Sequence, residues 1–227
     1  DEGEFDNVSF QNFGLPLEER LKILNSFSAS KKAWAWHYYA SESEKSGLFN
    51  MDTFGSQQSS LRWFEQFSKK KEWTVKDYIT QDRLFYFPNE MLKKVDRMTM
   101  AYSIEGRAPF AAASVLSFSD KLASEVLIRD GKLKWILRKA FEDILPPEVI
   151  SRPKHGFNIP IDHWLKNDWA FLMEETFSTD SALFKRGIIH GKSKEIAMKM
   201  LNDPGRLNGH TLFCFIMLNL WFQNNEK

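Results

Sequence analysis

Phe87-Pro88-Asn89-Glu90-Met91-Leu92-Lys93-Lys94-Val95-Asp96-Arg97-Met98-Thr99-Met100-Ala101-Tyr102-Ser103-Ile104-Glu105-Gly106-Arg107-Ala108-Pro109-Phe110 is the run on which the reading of this chain turns. Its first half has helical spacing. Met91, Leu92, Val95, Met98 and Tyr102 share one face, and Lys93, Lys94, Asp96 and Arg97 lie on the other. Tyr86 to Glu90 supplies a proline and an Asn cap candidate ahead of that helix. The second half, Ser103 to Phe110, is a polar stretch with charges beside a glycine and a proline-fixed turn. Ser151-Arg152-Pro153-Lys154-His155-Gly156-Phe157 has the same make-up. Such composition brings backbone close to a ligand while holding a carboxylate or an ammonium beside it. It equally describes two solvated loops with a surface ion pair.

Outward from this run, helical periodicity dominates, and no alternating segment is long enough to argue a sheet, so a mainly α chain is expected. Leu17, Leu21, Leu24 and Phe27 form an amphipathic stripe, with Glu18 and Glu19 near the positive end of the helix dipole. Ser41 to Ser60 is polar, with Leu48-Phe49 in its middle, and reads as a loop. Leu133, Ile136, Leu137, Ala140, Phe141 and Ile144 give the strongest helical stripe, which Pro146-Pro147 should stop. Further helices are expected near Ile161–Phe177, Lys192–Leu201 and His210–Phe222, the last apolar nearly all round and therefore buried. The stripes near residues 91–102, 133–144 and 212–222 are expected to share one core. Residues 1–80 read as a helical and loop lead-in to residues 81–227.

Charge and composition narrow the function. Thirty-one Lys+Arg against 30 Asp+Glu leave a formal charge of +1, so no general field attracts nucleic acid or an anionic membrane. No segment approaches the about 18 apolar residues of a membrane span. The single cysteine, Cys214, excludes an intramolecular disulfide, suits a reducing compartment and reads as a small buried hydrophobe. His37, His155, His163, His190 and His210 show no metal-ligand spacing, so no metal site is expected. The sequence contains no GxSxG, GxxxxGK[ST] or GxGxxG. The acidic start, Asp1 to Asp6, reads as a cut end or a mid-chain start rather than a leader.

The run from Phe87 to Phe110 resembles the stretch LPxDLLxKVDRMSMAxSLExRxPF of asparagine synthetases. The resemblance continues in family order through Lys134 to Ala140, Leu145-Pro146, Arg152 to Phe157, Pro160 and Trp164-Leu165, then Gly209-His210 and Leu220-Trp221. It implies the helical C-terminal half of an α/β adenine-nucleotide α-hydrolase-like (ATP-pyrophosphatase) synthetase domain. Such enzymes adenylate a carboxylate with MgATP, release pyrophosphate and let ammonia attack the acyl-adenylate; asparagine synthetases draw that ammonia from glutamine through a separate glutaminase domain.

By position, Glu105 resembles the carboxylate that helps remove a proton from the attacking nitrogen, a task suited to a partly buried group of raised basicity. Lys154 resembles the lysine that neutralises charge on pyrophosphate and on the tetrahedral intermediate. The two are expected to meet in one cleft. Lys134 near phosphate, and Arg97 and Arg107 holding the loop, form a second tier for which surface pairing is as good a reading.

The sequence departs from the family at Ala111-Ala112-Ala113, where Leu-Asp is usual, and at Gly106, where a larger residue is usual. The SGGxDS phosphate loop and the GADE segment that precede this region in the family have no counterpart, so MgATP is expected in the complete enzyme and is not expected to bind tightly to this chain alone. The resemblance implies as partners the N-terminal half of the synthetase domain, a glutaminase domain, and aspartate or another carboxylate, in the cytoplasm, and leaves a homodimer open. A stand-alone helical partner-binding module, and a β-lactam synthetase or peptide macrolactam cyclase relative, are the alternatives.

Overall fold

The computed structural model describes residues 25, 28–29, 32–33, 42–54, 70, 72–152, 159–204 and 208–225. The amphipathic stripe expected at Leu17–Phe27 lies outside them, apart from Asn25. The described chain is mainly helical, with one two-stranded antiparallel hairpin, and forms two units, Asp1–Glu72 with Asn158–Lys227, and Trp73–Phe157.

The Trp73–Phe157 unit opens on a long helical run. Asp77 accepts the backbone N–H of Thr74 at 2.6 Å and its hydroxyl at 2.7 Å, which fixes the start of the Val75–Gln81 helix. The run passes without a break into a π-helix, Asp82–Leu92, and then into the Lys93–Met100 helix, with αR geometry at both junctions. Pro88 sits inside the wide π segment, and Asn89 Nδ2 donates to Phe85 O at 2.8 Å. The expected helix start at Pro88-Asn89 is thereby corrected: Asn89 supports a through-going helix and caps nothing. Arg83 pairs with Asp120, and Lys76 Nζ donates to Asp120 O at 3.0 Å, fastening this run to the end of the Ala113–Lys121 helix.

The second expected helix of this unit is shorter than its stripe. Asp130 and Gly131, both with positive φ (51° and 72°), turn the chain between Ile128–Arg129 and Lys132–Leu133 in the manner of a type I′ hairpin. The helix then spans Trp135–Ala140, residues 141–144 are turns, and Pro147 begins a new helix, Pro147–Ser151, instead of ending the old one. Leu133, Ile144, Val95, Met98 and Tyr102 are exposed, and among the described residues of this unit only Gln81 is buried. The expected shared core is therefore not formed by these stripes. A stripe states which residues share a face, and burial also requires a second surface, which the described residues of this unit do not supply.

The other unit carries a core of Leu48, Ile161, Leu165, Met173, Phe177, Leu183, Ile189, Ala197, Leu201, Leu212, Phe215 and Ile216. Its spine is the Gly209–Asn225 helix, flanked by Ile161–Lys166, Ala170–Thr176, Ala182–Lys185 and Ser193–Leu201. The helix expected over Ile161–Phe177 is in two pieces, because Asn167 leaves helical geometry and turns its Nδ2 back onto His163 O at 2.8 Å. The segment read as a loop at residues 41–60 holds two helices, Glu42–Leu48 and Met51–Phe54. Leu48 is fully buried; Ser193 Oγ donates to Leu48 O at 2.8 Å and Asn50 N to Ile188 O at 2.8 Å. The Gly209–Asn225 helix is not buried all round: Met217 and Trp221 are exposed, as is Cys214, which had read as buried.

Candidate functional site

The Lys93–Met100 helix ends in a Schellman arrangement. Ser103 N donates to Met100 O at 3.0 Å and Ile104 N to Thr99 O at 3.1 Å, with Ser103 at φ 58°, in the left-handed region. That reversal delivers Glu105, and a β-carbon at Gly106 would meet Val95 Cγ1 at 2.9 Å and Thr99 Oγ1 at 3.2 Å. The glycine thus lets the Glu105–Arg107 backbone lie directly on the preceding helix. Arg107 Nη2 stands 2.9 Å from Glu105 Oε1, and both side chains are largely exposed, Glu105 at 70%. The expectation of a partly buried carboxylate is corrected accordingly, since residues 103–110 are all exposed although their backbone lies on the preceding helix.

Of the other site residues, Arg97 is exposed on the Lys93–Met100 helix. Lys134 is exposed and left-handed (φ 58°, ψ 34°) at the junction between the hairpin and the Trp135–Ala140 helix. Lys154 lies outside the described residues, and so does its meeting with Glu105. The structure brings Glu105 and Arg107 together.

Ahead of Lys154 the structure shows a residue that sequence reasoning passed over. Arg138 Nε donates to Leu133 O at 3.2 Å, Nη1 to Ile150 O and Nη2 to Arg152 O at 3.4 Å. It stands in the wall of a cavity of about 550 Å³ that Lys132, Trp135, Lys139, Glu142 and Arg152 also line. Its signals in the sequence were its place in the family-like stretch Lys134 to Ala140 and its position off the apolar stripe. Arg129 stacks over the Trp135 ring, 4.8 Å from its centroid, and Lys139 pairs with Glu142.

In the other unit, the family-like Gly209 and Trp164 make contacts within the fold. Gly209 N donates to Asp162 Oδ1 at 3.0 Å, and a β-carbon at 209 would fall 2.7 Å from Asp162 Oδ2. A carboxylate thereby sits at the positive end of the Gly209–Asn225 helix. Trp164 packs on Trp169 at 4.6 Å, and Trp169 stacks on Phe213 at 6.0 Å.

Comparison with known proteins gives this arrangement a context. The sequence model of the asparagine synthase family matches residues 11–223. The chain is 40% identical over 99 residues to asparagine synthetase [glutamine-hydrolyzing] 1 of Bacillus subtilis, covering 42% of this chain and 16% of that protein. It is 37% identical over 94 residues to a putative asparagine synthetase [glutamine-hydrolyzing] of Mycobacterium bovis, covering 40% and 14%. It is 34% identical over 85 residues to the Gallus gallus asparagine synthetase [glutamine-hydrolyzing], covering 36% and 15%. The matched stretch thus spans only 14–16% of the length of these relatives. No solved structure matches the chain. With the family model extending over nearly its whole length, the chain belongs to the asparagine synthase family.

Proposed function

We propose that this chain is the C-terminal part of an ATP-dependent carbon–nitrogen ligase that joins ammonia, drawn from glutamine, to an activated aspartate. The observation that carries the reading is the family-matched loop at the end of the Lys93–Met100 helix, where a Schellman reversal, a close-lying glycine and Arg107 fix the approach of Glu105. ATP supplies the activation of the carboxylate. The sequence has no GxxxxGK[ST] or GxGxxG phosphate loop, which supports placing MgATP on another part of the enzyme. Nucleotide and Mg²⁺ are assigned to the N-terminal part of the synthetase domain, and ammonia production to a glutaminase domain.

Within this chain, Glu105 takes the proton from the attacking nitrogen, and Lys154 offsets the charge on the tetrahedral intermediate. Arg107 holds Glu105, and Arg97 and Lys134 remain secondary binding candidates. No helix among the described residues is long and apolar enough to cross a membrane, and the cytoplasm is the proposed compartment.

The test is on the complete polypeptide that carries this chain: asparagine formation dependent on aspartate, MgATP and ammonia or glutamine, with release of pyrophosphate. Lys154→Ala should cost orders of magnitude, since an oxyanion-type donor is worth about 10²–10³-fold in rate. Amide formation from another carboxylate in place of aspartate would move the chain to the β-lactam synthetase or macrolactam cyclase reading. The exposed stripe with Val95, Met98 and Tyr102 favours a second reading, a stand-alone module that binds a partner. An intact mass of the native product equal to that of these 227 residues would support it.

A further inference from the structure

We infer that Arg138 is a positioning residue for amide formation, fixing the carbonyls of Ile150 and Arg152 and with them the point from which the chain enters the Lys154 segment. The inference rests on the proposed role of Lys154. Its own footing is the convergence of three acceptors on one guanidinium: Leu133 O at the end of the hairpin, Ile150 O in the last turn of the Pro147–Ser151 helix, and Arg152 O just beyond.

The last carbonyls of a helix have no partner within it. A planar fork of donors reaches several of them at once, which the point-like ammonium of lysine does not. Each of the three guanidinium nitrogens donates to a backbone carbonyl, so Arg138 acts as a clasp at the border of the cavity. Lys154 follows Arg152 by two residues, a reach of at most about 7 Å of extended chain. Only Pro153 separates the held carbonyl from Lys154 along the chain, and a displacement of about 1 Å in a reacting group can cost roughly 10²-fold in rate.

The experiment compares Arg138→Ala, Arg138→Lys, Lys154→Ala and the Arg138→Ala/Lys154→Ala double variant in the complete synthetase. Arg138→Ala should lower kcat for amide formation by on the order of 10²-fold with little change in KM. Arg138→Lys should also fall, guanidinium ion in the buffer should restore part of the Arg138→Ala rate, and the double variant should be no slower than Lys154→Ala alone. Wild-type kcat in Arg138→Ala beside an impaired Lys154→Ala overturns the positioning role and leaves the proposed function standing. Full activity of Lys154→Ala overturns the role of Lys154 and with it the positioning role of Arg138, and leaves the ligase reading standing. Should Arg138→Ala lose its cooperative melt, Arg138→Lys decides, and a wild-type rate there counts against the clasp. A double variant slowed by the product of the two single losses would show Arg138 acting independently of Lys154, and would also overturn it.

Discussion

Asn219, 1% exposed in the middle of the Gly209–Asn225 helix, accepts the backbone N–H of Ala182 on its Oδ1 at 3.1 Å. Ala182 opens the Ala182–Lys185 helix, whose cap Ser181 takes the N–H of Phe184 at 3.1 Å. Two donors that no short helix can satisfy internally are thus met by side chains. The polar residue that interrupts an otherwise apolar helix is there to terminate its neighbour. Asn219→Leu keeps the bulk and strands the part-buried Ala182 donor while removing Asn219 Nδ2, itself buried without a hydrogen-bond partner, so the chain should lose about 0.5–1.5 kcal/mol in denaturant unfolding. Unchanged stability would show that Ala182 does not depend on this acceptor.

Ser103 occupies the left-handed position of a helix C-terminus that glycine fills at least strain. Ser103→Gly should stabilise the Schellman turn by about 1 kcal/mol, read as roughly fivefold slower hydrogen exchange at the Ile104 amide, which bonds Thr99 O. Faster exchange would mean that the serine side chain contributes more than its backbone strain costs.

Burial pushes the imidazole of His210 below its ordinary value of 6.5, and the nearby Asp162 carboxylate only partly opposes this. Between the folded value and 6.5 the unfolded chain binds the proton more readily, so stability is complete above 6.5 and falls as the pH drops through that window. Acid unfolding should therefore begin below neutrality, and His210→Gln should flatten that limb of the stability–pH curve. An identical limb in the variant would assign the effect to other groups.

How much of this could be read in the sequence varies with the kind of statement. The helices at 193–201 and 209–225 lay close to where periodicity put them, because one face of each carries core residues such as Ala197, Leu201, Leu212 and Ile216. The stripe at Leu133–Ile144 had better periodicity and yet is exposed at Leu133 and Ile144, since a pattern within one segment carries no information about what covers it. Asn167 broke a helix through its own side chain, and Asp130-Gly131 marked a turn that the search for longer strands passed over. For the candidate site, the motif could be quoted from the sequence, whereas the exposure of Glu105 and the contacts of Arg138 depend on how segments fold against one another.

The role proposed for Glu105 predicts different effects on two steps that the overall rate combines. Arg107 engages its Oε1 at 2.9 Å, which leaves Oε2 as the oxygen available to an incoming nitrogen. Glu105→Gln keeps the shape and puts an amide where the carboxylate was, so the proton on the attacking nitrogen loses its acceptor while the activation of the substrate carboxyl does not need one. In the complete synthetase, asparagine formation should fall by about 10²–10⁴-fold, the usual range for a positioned general base, while pyrophosphate release falls less and runs ahead of amide as the adenylate is lost to water. Arg107→Ala tests the holding role: it should lower asparagine formation less than Glu105→Gln, because the base remains and only its alignment is lost. Equal losses of pyrophosphate and asparagine in Glu105→Gln would place Glu105 in binding or in the first step, and the proton-transfer role would then belong to another group.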